Sequence, residues 1–217
     1  METGTARRPL KTRQATWAKA LSQLLVKWRI SPNAISMASV VFALVSAAAL
    51  YFSAQYVGIQ RVLLLVLAVA GMQGRLLCNM LDGMVAIEGG RHTKSGEIYN
   101  DLPDRIADAL IFIGAGYGAR QHTFGIELGL VASALAIFTA YVRMLGGASG
   151  VKQSFIGPMA KQHRMFTLSL GCVLSIFEAN FFSAGTVLWA ALMVINLGCL
   201  ITIWRRTALI ARELESR

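Results

Sequence analysis

The sequence predicts an all-α protein that crosses a membrane six times, with an amphipathic helix lying in the membrane interface ahead of the first span. Three observations lead there. The chain of 217 residues is 55% hydrophobic and only 15% charged, which leaves too little polar surface to cover the core of a soluble domain of that length. Residues Ala34 to Ala54 and Phe181 to Trp204 contain no charged side chain, and each run is long enough to cross a hydrocarbon core of about 30 Å. The basic residues, finally, alternate between crowded and nearly empty connections, as spans of alternating direction require.

The elements follow in order. The arm of residues 1–30 has no signal-peptide pattern, since its basic residues are not followed by a short apolar stretch and a small-residue cleavage site. Within it, "TWAKALSQLLVKWRI" puts Trp17, Leu21, Leu24, Leu25 and Trp28 on one helical face and Lys19, Gln23 and Lys27 elsewhere. That is the pattern of an anchor helix resting on the cytosolic leaflet. Residues 31–204 form the bundle, with spans at Ala34 to Ala54, Val62 to about Ile87, Asp104 to Ala119, Glu127 to about Leu145, Met165 to Phe177, and Phe181 to Trp204. Residues 205–217 are a cytosolic tail. One domain suffices, and no internal repeat or low-complexity linker interrupts it. Cys78, Cys172 and Cys199 all fall in apolar segments and read as small core residues, not as a disulfide or zinc set.

Charge placement tests the count of six. The arm, the 88–105 connection, the 143–164 connection and the tail carry seven, three, four and four Lys/Arg, whereas the opposite side holds only Arg61 and Arg120. With Arg75 inside the second span this accounts for all 21 basic residues. Both ends are therefore expected in the cytosol, with a bacterial inner membrane as the setting. The net charge of +10 is topology. No aromatic residues interleave with Lys/Arg on a soluble face, so no nucleic-acid partner is expected.

The polar residues inside the spans carry the chemistry. An ionisable side chain at bilayer depth costs roughly 2.5 to 3.5 kcal/mol on insertion scales, so Asp82 in "NMLDGMVAIEGG" calls for a use. Arg75, Asn79, Asp82 and Ala86 are spaced four, three and four apart and share one helical face. After the turn "EGGRHTKSG", the helix opened by "EIYNDLPDRIAD" offers Asn100, Asp104 and Asp108 at spacings of four, with Asp101 three before Asp104. A helix starting near Asn100 would leave Pro103 in its first turn, where a missing N–H does no harm. Clustered oxygens without histidine or thiolate suit a hard cation, Mg²⁺ or Mn²⁺, and a metal so held serves a phosphate. Gly83, Gly89, Gly90 and Gly96 let a nucleotide approach the backbone, and Arg91 and Lys94 are placed to meet its charge. The bland reading pairs Asp82 with Arg75 and makes Asp101, Asp104 and Asp108 helix-start caps.

The spacing Asn79-x-x-Asp82-Gly83-x-x-Ala86, then Gly96-x-x-x-Asn100-x-x-x-Asp104, resembles the CDP-alcohol phosphatidyltransferase signature D-x-x-D-G-x-x-A-R-x8-G-x-x-x-D-x-x-x-D. "SPNAIS" resembles the family's entry to its first span, and "YVR" with "GPMAKQHRM" resembles its fourth helix end and the following loop. Six spans with cytosolic ends are also the family's architecture. Three positions depart from the pattern: Asn79 and Asn100 stand where the family has aspartates, and Ile87 stands where it has an arginine. The site therefore loses two negative charges, which weakens the case for a pair of metals. Asp101 and Asp108 are candidates to restore charge, and Arg143 or Arg75 to replace the missing arginine.

The resemblance implies transfer of a phosphatidyl group from a CDP-alcohol, CDP-diacylglycerol above all, to an acceptor alcohol with release of CMP. It implies a metal at Asp82 and Asp104 helped by Asn79, Asn100 and Asp101, with Asp104 as catalytic base and Gly83, Ala86 and Gly96 against the CDP moiety. It also implies a homodimer among membrane lipids. Arg143, Lys152, Lys161 and Arg164 crowd one cytosolic connection and are candidates to bind a phosphorylated acceptor, though positive-inside charge explains them equally. His92 and His163 receive no role. Two alternatives stand beside the enzyme: a non-catalytic family member that binds CDP-lipid, and a cation or proton transporter using Asp82 and Asp104 as relays, for which the outer halves of the spans supply no polar path.

Overall fold

The computed structural model describes residues 15–89 and 96–216, so the first 14 residues of the arm lie outside it, as do Gly90, Arg91, His92 and Lys94. Those residues are all helix and connections: α1 (Thr16–Lys27), α2 (Pro32–Ser53), α3 (Gly58–Glu88), α4 (Gly96–Gly118), α5 (Gly125–Ala148), α6 (Lys161–Ser175) and α7 (Thr186–Glu215), with a 3-10 turn at Glu178–Asn180. Four of them, α2, α3, α5 and α7, are long and apolar enough to cross a membrane, and the chain is a membrane protein. α4 runs for 23 residues around its acidic first half. α6, at 15 residues, covers roughly 22 Å at 1.5 Å per residue, and the chain continues beyond it through the 3-10 turn.

Local chemistry explains where the helices begin. The Ser31 hydroxyl accepts the Ala34 N–H at 3.2 Å, with Pro32 at the first helical position, the pairing that ends unpaired N–H groups at a helix start. α7 starts at Gly185, whose φ of +90° suits a residue without a Cβ. α4 starts four residues earlier than the sequence reading placed it, at Gly96, so Pro103 sits inside the helix and not in its first turn. The Tyr99 carbonyl, four residues before it, finds no N–H there.

α2 packs on both α3 and α4, α4 on α5, and α5 and α6 on α7, while α6 also touches α3. The core between them is built from Leu50, Leu65, Met72, Ile111, Phe112, Leu168, Leu188 and Leu192. Small residues set the crossings, as they do where lipid removes the hydrophobic drive between helices. A Cβ on Gly114 would stand 2.6 Å from the Ala47 Cα, and one on Gly129 would stand 2.6 Å from the Phe112 carbonyl oxygen. These contacts bring α2, α4 and α5 to backbone distance. α1 packs Leu21 and Leu25 against the Cys78–Val85 stretch of α3 and leaves Trp17 and Trp28 exposed.

Candidate functional site

The face of α3 that carries Arg75, Asn79 and Asp82 meets the acidic first half of α4. Asn79 Nδ2 donates to Asp104 Oδ1 at 2.6 Å, and Arg75 Nη2 reaches the same oxygen and the Asp104 carbonyl, each at 3.3 Å. Arg75 also lies 2.6 Å from Asp108 Oδ1. That contact is an ion pair and not an aligned hydrogen bond, since Asp108 Oδ1 has no hydrogen-bond partner. The other oxygen of Asp104 pairs with Lys161, the first residue of α6. Asp82 accepts the Ser36 hydroxyl from α2 at 2.7 Å and the N–H of its neighbour Gly83. Asp82, Asp104 and Asp108 are all buried, so three carboxylates and three cations meet where α2, α3, α4 and α6 converge.

Arg164 closes the inner side. It is buried, donates to Asp108 Oδ2 at 3.0 Å, and gives its other terminal nitrogen to the Thr139 hydroxyl at 2.9 Å and the Met159 carbonyl at 3.0 Å. Asp101 stands apart from the carboxylate pair, held by Arg105 at 3.2 Å and Arg143 at 3.6 Å. Asn100 is exposed, and so is Lys152; Gly83, Ala86 and Gly96 are half-buried. A shallow pocket opens between α5 and α7, lined by Arg143, Lys152, Ser154 and Arg206. Of the residues named from sequence, then, Asn79, Asp82, Asp104 and Lys161 form one cluster. Arg143 and Lys152 form a second, and Arg164 belongs to the buried wall.

The donor chemistry fits a hard cation. Asp82 and Asp104 offer carboxylate oxygens, and Asn79 keeps its side-chain oxygen because its nitrogen is the atom that donates to Asp104. Among the described residues no three His, Cys, Asp or Glu side chains converge as a ready metal group. The set is therefore lean, and it carries no soft ligand that would favour zinc.

Ser36 and Arg206 were missed in the sequence reading. Arg206 donates to the Ile156 carbonyl at 3.0 Å and the Thr139 carbonyl at 2.7 Å and is buried. A signal for it exists: Leu188, Leu192, Ile195, Cys199 and Thr202 are the buried face of α7, and the same spacing of three and four continues to Arg206. Ser36 leaves no comparable mark, being one of several serines on a span.

No family model matches the chain. Two curated proteins do: the inner membrane protein YnbA of Escherichia coli, 25% identical over 88% of this chain and 90% of the relative, and the phosphatidylinositol phosphate synthase of Mycolicibacterium smegmatis, 27% identical over 60% and 59%. Among solved structures, the phosphatidylinositol phosphate synthase of Mycobacterium tuberculosis with CDP-DAG bound superposes with a TM-score of 0.74 at 18% identity, covering 90% of this chain and 94% of that one. Its complex with manganese and citrate gives 0.73 at 18% identity, over 89% and 88%. The fold is that of these synthases, and the resemblance to the CDP-alcohol phosphatidyltransferases read from the motif is borne out.

Proposed function

We propose that the chain transfers a phosphatidyl group from a CDP-alcohol, CDP-diacylglycerol being the first choice, to the hydroxyl of an acceptor alcohol with release of CMP. One observation carries the reading. The Asn79 to Asp104 hydrogen bond joins the two halves of the signature across 25 residues, with Asp82 one turn further along the same face of α3. Two motif segments that merely capped helices would have no reason to meet.

In this reading the chain is a single domain of six spans, with α4 and α6 completing the four apolar helices. α1 lies in the interface with Trp17 and Trp28 toward lipid. Both termini and the site face the cytosol of a bacterial inner membrane, and the protein is a homodimer. Gly83, Ala86 and Gly96 admit the CDP moiety. Asp104, with one-tenth of its side chain exposed, takes the proton from the acceptor hydroxyl. Mg²⁺ or Mn²⁺ held by Asp82, Asp104 and Asn79 would neutralise charge on the pyrophosphate as CMP leaves; Asn100 and Asp101 are outlying supports. Arg143 and Lys152, joined by Arg206, receive an anionic acceptor, and Lys161 moves between Asp104 and that group.

A second reading has one observation in its favour. Asp104 is held by Arg75, Asn79 and Lys161 together, which would also suit a member that binds CDP-lipid without turning it over. Purified protein given CDP-diacylglycerol and a panel of acceptors, with CMP and lipid mass as readouts, decides between the two. The transferase reading expects CMP and a new lipid with one acceptor, and CDP-lipid binding without CMP from any acceptor would reject it.

A further inference from the structure

We propose that Arg75 is a built-in cation that leaves the site no negative charge for a second metal ion, so that it takes a single divalent ion, at Asp82 and Asp104. The proposal rests on the transferase reading for the purpose of that ion. Arg75 is fully buried and lies on Asp104 and Asp108 through Nη2, while its Nε and Nη1 have no hydrogen-bond partner among the described residues. A guanidinium does not lose its proton in a protein, and one buried at span depth is retained only where carboxylates need it.

Asn79 is the complement of that cation. Its amide nitrogen lies 2.6 Å from the Asp104 oxygen that Arg75 also approaches. An aspartate at 79 would set carboxylate against carboxylate at that distance, which is tolerable only with a cation or a shared proton between them. Asparagine turns the same contact into a donated hydrogen bond. The carboxylates absent from positions 79 and 100 and the guanidinium present at 75 therefore act in one direction, lowering the demand for metal charge. Four carboxylates match two divalent ions. Asp82 and Asp104 match one, and Arg75, whose charge also falls on Asp108, leaves no negative charge over for a second. Asp108 does not restore the balance, because Arg75 and Arg164 already hold its two oxygens. Lys161 differs from Arg75 in kind. With about a quarter of its side chain exposed, it can leave Asp104 when an ion enters.

The test is Mn²⁺ stoichiometry, read by electron paramagnetic resonance on the substrate-free protein in detergent. The native chain should bind one Mn²⁺ without spin coupling to a neighbour. Two coupled ions, or none up to about 10 mM, would overturn the proposal. The double variant Asn79→Asp with Asn100→Asp should bind its single ion about tenfold more tightly, and a second ion in it with Arg75 in place would also overturn the proposal. Adding Arg75→Gln to that pair should admit the second ion, and a stoichiometry that stays at one in a folded triple variant would count against us. Should the triple variant fail to fold, the native and double-variant titrations still decide. CMP release in the same samples keeps the two readings separate. One bound ion without turnover would refute the transferase and leave Arg75 its role, and two bound ions with turnover would do the reverse.

Discussion

Two clusters of buried charge sit at opposite ends of the bundle, outer and inner in the topology proposed above, and they are built differently. At the outer end Glu178 is closed: one oxygen pairs with Arg61 and accepts the Gly185 N–H at 2.6 Å, and the other accepts the Val187 N–H at 2.9 Å. It ties α3 to the start of α7, and both side chains are shielded from solvent. At the inner end the carboxylate of Asp104 is shared among a fixed guanidinium, a carboxamide and a lysine that still reaches solvent. A carboxylate held by backbone N–H groups has no partner it can exchange. One held partly by an ammonium that reaches solvent does, and only the second kind of cluster can take a ligand.

The contrast predicts a hierarchy of effects, beginning with the outer end. Glu178→Ala leaves Arg61 as an uncompensated buried charge and should cost about 3 to 5 kcal/mol of stability, seen as a large fall in the thermal unfolding midpoint in detergent. CMP release measured well below that midpoint should persist. If Glu178→Ala abolished turnover at unchanged stability, the outer pair would be functional and the contrast false.

At the inner end the order reverses. Asp82→Ala and Asp104→Ala should each lower CMP release by about a hundredfold or more, some 2.7 kcal/mol at 1.36 kcal/mol per tenfold. The unfolding midpoint should move less than in Glu178→Ala, because Arg75 and Arg164 keep Asp108. Turnover within a few-fold of native in either variant would remove the carboxylates from the chemistry.

A smaller effect is expected at the pocket between α5 and α7. Lys152→Ala and Arg143→Ala should raise the KM for an anionic acceptor about tenfold, in line with the loss of one charge-assisted contact of roughly 1.5 kcal/mol, with the KM for CDP-lipid unchanged. Equal loss for both substrates would dissolve the division between the clusters. Arg164→Ala belongs with Glu178→Ala instead, since its guanidinium lies in the buried wall.

The least perturbing test concerns which end is which. The three native cysteines are buried, so the unmodified protein should label slowly. Ser154→Cys should react with a membrane-impermeant thiol reagent from the cytosolic side, and Thr123→Cys from the other. The opposite pattern would place the carboxylate site outside.

How much of this was legible in the sequence depends on the distance over which each feature is encoded. Helix periodicity is local, so the four long apolar helices and the shared face of Arg75, Asn79 and Asp82 could be read directly, as could the serine and proline that start α2. The start of α4 could not, because Gly96 and the residues after it hold no apolar run that marks a helix, and Pro103 argued for a later beginning. The buried face of α7 runs into Arg206 at readable spacing, yet a basic residue just past an apolar run reads as ordinary topology.

The sequence by itself determined the helices, their apolar faces and the carboxylates available to a site. Only the tertiary structure decided which cation meets which carboxylate: Lys161 on Asp104 across 57 residues, Arg164 on Asp108 across 56, and Ser36 on Asp82 across 46. The physical reason lies in the crossings. Where Gly114 meets Ala47 and Gly129 meets Phe112, the absence of a side chain sets how closely and at what height two helices pass. That height selects the partners, and no periodicity within a single helix records it.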